Sequence, residues 1–87
     1  MSRPTELVEQ LDKLCRLALK RSGVNPTADK VKDCVQTLLR YIEDPSTKIP
    51  AEVEEELSKI GIKPDVAYIV RKKALEIARR YPPPKTE

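Results

Sequence analysis

The chain has no histidine, no phenylalanine and no tryptophan. Without histidine, the commonest general base is missing, so a cysteine nucleophile lacks its usual partner and a mixed Cys/His zinc site lacks ligands. The two cysteines, Cys15 and Cys34, are too far apart in sequence for a Cys-x-x-Cys metal knuckle. No catalytic residue and no metal site are therefore expected, and no cofactor motif is present. Only three tyrosines supply aromatic rings, so the core must be aliphatic. Apolar runs are only a few residues long, so no membrane helix and no signal peptide are expected. A soluble, cytoplasmic protein follows from that reading.

Charge, by contrast, is abundant. Charged residues make up 36% of the 87, with a net charge of +3. That balance permits a nucleic-acid partner without demanding one. Richness in Lys, Arg and Glu, with prolines at segment boundaries, is a thermophile-like pattern that designed helical proteins share.

The length suits one domain with a single modest core, expected over residues 1–81. Hydrophobic periodicity predicts an all-α, compact four-helix bundle with helices at about 4–21, 26–43, 50–60 and 64–81. Each segment opens near a proline. The first carries Leu7, Val8, Leu11, Leu14, Cys15 and Ala18 on one face and stops at Gly23. The second has Asn25 as its predicted N-cap, Pro26 in its first turn, and a face of Val31, Cys34, Val35, Leu38, Leu39 and Ile42. The third shows a narrow stripe of Val53, Leu57 and Ile60. The fourth is apolar over so wide an arc that it is expected to be central, or to meet a partner protein or a second copy through Tyr68 and Leu75. Residues 82–87, "PPPKTE", read as a flexible polyproline-like tail.

In an antiparallel pair of the first two helices, Cys15 and Cys34 lie at the same height on facing sides. A disulfide between them is geometrically reasonable, and two buried free thiols are the alternative.

Two charge features stand out. Glu52, Glu54, Glu55 and Glu56 crowd the start of the third helix, where the helix dipole favours carboxylates. From residue 63 to 85 there are seven basic residues against Asp65 and Glu76. Lys72 and Arg79, and Lys73 and Arg80, recur at seven-residue spacing, with Arg71 and Lys63 nearby. Such a stripe can contact nucleic-acid phosphates without reading bases. It can equally be a solvated face stitched by Glu76, which lies three or four residues from each of those four cations.

The stretch "LSKIGIKPDVAYIV", residues 57–70, joins the acidic helix to the basic one. It resembles the hairpin of helix-hairpin-helix DNA-binding modules, with Leu57, Ile60, Gly61, Ile62, Pro64 and Ala67 on the family pattern. The resemblance implies a phosphate held by amides around Gly61 and by the following helix start. Lys63 stands where the family has a second glycine, and its ammonium would either obstruct the backbone or add a phosphate contact. Residues 46–64 also resemble the start of a ribbon-helix-helix repressor, through Ser46, Lys48, Ile49 and Pro50. A simpler reading makes Gly61 a helix stop, Ile62 its hydrophobic contact and Pro64 the next helix start. In size and composition the chain looks like small helical subunits of archaeal replication or transcription machinery. The functions expected are thus a non-enzymatic, nucleic-acid-associated accessory protein or, alternatively, a protein-interaction module or scaffold without a ligand site.

Overall fold

The computed structural model describes residues 5–43 and 50–81. Four helices follow one another: α1 (Thr5–Arg21), α2 (Ala28–Glu43), α3 (Pro50–Ile60) and α4 (Pro64–Arg80). No strand occurs among the described residues. The strand expected over Ser46, Lys48 and Ile49 lies outside them, as does the tail 82–87. Neighbours run α1–α2–α3–α4 around the bundle, with α2 also touching α4 across it. The fourth helix therefore meets all three others, as its apolar arc implies, but α2 shares that position.

One aliphatic core runs through the described residues. It holds Leu7, Leu11 and Leu19 from α1, Val31 and Leu38 from α2, Val53 and Leu57 from α3, and Ala67, Val70 and Ala74 from α4. Burying each leucine and valine of this set contributes roughly 1.5–3 kcal/mol, and each alanine less. One expectation at the edge of a stripe needs correction: Val8 is 37% exposed. Leu14, Leu39, Ile42 and Ile60 border the core, partly buried and packed against it, and Thr37 and Tyr41 are buried as well. The face of α2 is turned by its simultaneous contact with α3 and α4, which draws the Tyr41 side of the helix inward.

The start of α2 also differs from expectation. Thr27, rather than Asn25, caps it: the Thr27 hydroxyl accepts the amide of Lys30 at 3.4 Å, and its carbonyl accepts that of Val31 at 3.0 Å. Pro26 stays outside the helix. At the other end of the chain, Tyr81 closes α4, its amide donating to the Ala78 carbonyl.

Cys15 and Cys34 form a disulfide between α1 and α2, with Cα atoms 6.0 Å apart. Both residues are fully buried. Of the two states open from sequence, the structure adopts the bridge.

A candidate nucleic-acid interface and the turn beside it

Helices α1 and α3 end in the same way. Gly23 adopts φ 78° and Gly61 φ 119°, backbone conformations that glycine reaches without a Cβ penalty. At the end of α1, the Gly23 amide donates to Lys20 at 3.0 Å and the Val24 amide to Leu19 at 2.8 Å. At the end of α3, Gly61 donates to Ser58 at 3.0 Å and Ile62 to Leu57 at 3.2 Å. Each is a Schellman motif, closing otherwise unpaired carbonyls. The hydrophobic residue that follows each glycine joins the core or its border: Ile62 is buried and Val24 partly so.

The two turns lie against each other. The Lys63 amide donates to the Ser22 hydroxyl at 2.9 Å, and a Cβ placed on Gly61 would stand 3.0 Å from Cγ2 of Val24. The amides of Gly61, Ile62 and Lys63 are thus all satisfied inside the chain, and Pro64 has none. Backbone donors remain only at the start of α4, where the Asp65 and Val66 amides carry no side-chain cap, with the exposed Lys63 side chain beside them.

Beyond the turn, α4 presents its outer face. Lys72, Lys73, Arg79 and Arg80 are exposed, as is Lys63 at the helix start. Among the described residues, Glu76 forms no ion pair with any of them. The stitching that the sequence allowed is absent from this face. Tyr68, 47% exposed, sits among these cations. Its ring lies 5.2 Å from the Lys72 ammonium and 5.5 Å from the Arg71 guanidinium. Its hydroxyl also accepts from Lys72 Nζ at 3.4 Å. Sequence reasoning placed Tyr68 in an apolar partner surface with Leu75. Leu75 instead leans on the core, and the four-residue spacing of Tyr68 and Lys72 was the signal for their pairing.

Arg71 belongs to a different environment. Its Nε donates to Glu54 at 2.9 Å and its Nη1 to the Tyr41 hydroxyl at 3.2 Å, and its side chain is only 12% exposed. Burial lowers the guanidinium pKa, but the hydrogen bonds to Glu54 and Tyr41 and the attraction of both groups outweigh it. The net result is a pKa above the ordinary arginine value. Because the folded-state pKa is raised, this contribution to stability is present throughout the neutral range and fades only in strong alkali. Arg71 thus ties α4 to α3 and α2. Arg71→Met leaves the buried Tyr41 hydroxyl and the Glu54 carboxylate without their donor. Urea unfolding is expected to show a loss of about 2 kcal/mol, moderated because Glu54 is partly exposed to water. A change below about 0.5 kcal/mol would contradict this role.

Among the described residues, no group of three or more Cys, Asp or Glu side chains is arranged to hold a metal ion. No helix there is long and apolar enough to cross a membrane. No protein-family model matches the chain, and no curated protein or solved structure was found to be similar to it.

Proposed function

We propose that this chain is a small non-enzymatic accessory protein that associates with nucleic acid through the outer face of α4. The observation that carries the reading is the exposed pair Lys72 and Arg79 on the Tyr68 side of α4, with exposed Lys73 and Arg80 about 100° further round the helix, none of them in an ion pair among the described residues. Side chains at seven-residue spacing repeat along one helix face about 10 Å apart, so successive cations follow a polyanion rather than converge on one point. Lysine ammonium and arginine guanidinium groups here meet phosphate oxygens and carry no base preference. Tyr68 adds a flat surface on which a base of a single strand can stack, with Lys72 beside it for the phosphate. Because the amides of Gly61, Ile62 and Lys63 are already bonded, side-chain cations provide most of the attraction, with the uncapped start of α4 as the one backbone donor site at the turn.

The test is a salt titration of binding to duplex and single-stranded DNA. The logarithm of affinity is expected to fall linearly with the logarithm of salt, by about 0.9 per duplex phosphate contacted. Lys72→Glu/Arg79→Glu should weaken binding and shallow that slope by about 2. Absence of binding at about 50 mM salt and tens of micromolar protein would reject the proposal. Arg71→Met should leave the slope unchanged, since its guanidinium is already held by Glu54 and Tyr41 and is only 12% exposed.

A further inference from the structure

The largest exposed aliphatic side chains on the α1/α4 side are Leu17, 51% exposed, and Ile69, 47% exposed. They form the two lips of a groove between these helices, with a volume of about 240 Å³. Leu14 and Val66 line its walls, while Arg21 and Lys73 supply its only charges among the described residues. No carboxylate of those residues lines it. The space exceeds the roughly 150 Å³ that admits a benzene, so it can take one large or two branched side chains.

We propose that this groove docks an acidic amphipathic helix from a partner protein, one with a short aliphatic stripe flanked by Asp or Glu. The floor and lips are aliphatic, so the occupant must bring apolar side chains, and two parallel helix ridges suit a third helix laid between them. The sign of the flanking charge follows from Arg21 and Lys73, which would face carboxylates on such a helix. A second copy of the chain fits poorly. In a two-fold contact each groove would present the same two cations to its equivalent, placing like charges together. A nucleic acid fits poorly as well, because aliphatic lips offer no stacking surface and phosphates would have to be desolvated against them. The groove shares Lys73 with the cationic face of α4 but includes none of Tyr68, Lys72 and Arg79, so the Leu17→Ser/Ile69→Ser variant separates peptide binding from DNA binding.

Fluorescence anisotropy with three labelled peptides tests the assignment. One carries leucines at i, i+3 and i+7 flanked by glutamates; the second replaces the glutamates by lysines; the third replaces the leucines by serines. The first alone is expected to bind. Leu17→Ser/Ile69→Ser and Arg21→Glu/Lys73→Glu should each weaken it by about tenfold or more. All four positions carry exposed side chains, so circular dichroism and the melting temperature should stay close to those of the parent. Equal binding of the lysine peptide, no binding of the glutamate peptide, or unchanged affinity in both variants overturns the proposal. So does sedimentation showing a parent dimer that Leu17→Ser/Ile69→Ser dissolves, since the occupant would then be a second copy. Loss of DNA binding, without loss of peptide binding, in the Leu17→Ser/Ile69→Ser variant would likewise overturn it in favour of a nucleic-acid groove.

Discussion

Reducing the Cys15–Cys34 bridge is expected to lower the melting temperature by about 15 °C. The bridge joins residues 19 apart in sequence. Closing a loop of that length removes conformational freedom from the unfolded chain equivalent to about 3 kcal/mol. For a domain of this size, each kcal/mol shifts the midpoint by roughly 4–8 °C. Both cysteines are fully buried, so the sulfurs also fill space in the α1–α2 contact. Comparing the reduced protein with Cys15→Ala/Cys34→Ala separates the two effects. Reduction removes the covalent constraint while leaving both sulfurs in place, whereas the double variant also leaves a void, with a further loss that scales with its volume. Thiol titration of the unfolded, unreduced protein should find no free sulfhydryl, and finding two would remove the basis for the expectation. Coincident melting curves for oxidised and reduced protein would show that the unfolded chain is already as restricted as the bridge makes it.

The second large effect is at Gly61. Gly61→Ala is expected to cost about 3 kcal/mol, against about 1 kcal/mol for Gly23→Ala. Both glycines end helices with positive φ, but they differ in two respects. Gly61, at φ 119°, lies well outside the left-handed helical well that an alanine tolerates, whereas Gly23, at φ 78°, is close to it. A Cβ at Gly61 would meet Cγ2 of Val24 at 3.0 Å, while one at Gly23 would meet nothing within 4 Å. The neighbour at Gly61 is itself wedged against the core, so it cannot swing away freely. Urea midpoints for the two variants give the difference directly. A Val24→Ala/Gly61→Ala double variant should recover part of the crowding but none of the backbone strain, visible as a favourable coupling energy in the cycle. Equal losses at the two glycines would show that the contact between the turns carries no energy.

The helices were legible because their boundaries are written in residues with few conformational options. Gly23 and Gly61 stop helices by adopting φ values that other residues avoid, and Pro50 and Pro64 open them. The facing heights of Cys15 and Cys34 followed from the symmetry of a short hairpin. Stripe edges were less legible, since periodicity locates the centre of a buried face and the neighbouring helices decide its width. Hence Val8 stands partly in solvent, and Tyr41 lies inside. The character of Arg71 could not be read at all. It sits in a basic run, yet its partners are Glu54 and Tyr41, 17 and 30 residues away. The basic stripe itself was visible as spacing. Its lack of compensation was not, because Glu76 is within helical reach of four cations and only the structure shows that it bonds none of them.

The clasp between the two turns acts as a datum for axial register. Aligned apolar stripes alone would tolerate a slide of one helical turn, 5.4 Å, between one hairpin and the other with modest loss of packing. Ser22 on Lys63 and Val24 on Gly61 admit no such slide, because both contacts fit at a single setting. That setting brings Arg21 and Lys73 to one groove and Leu17 opposite Ile69. The glycine turn thus works as a ruler: it fixes where along the bundle each exposed cation stands relative to its counterpart on the adjacent helix.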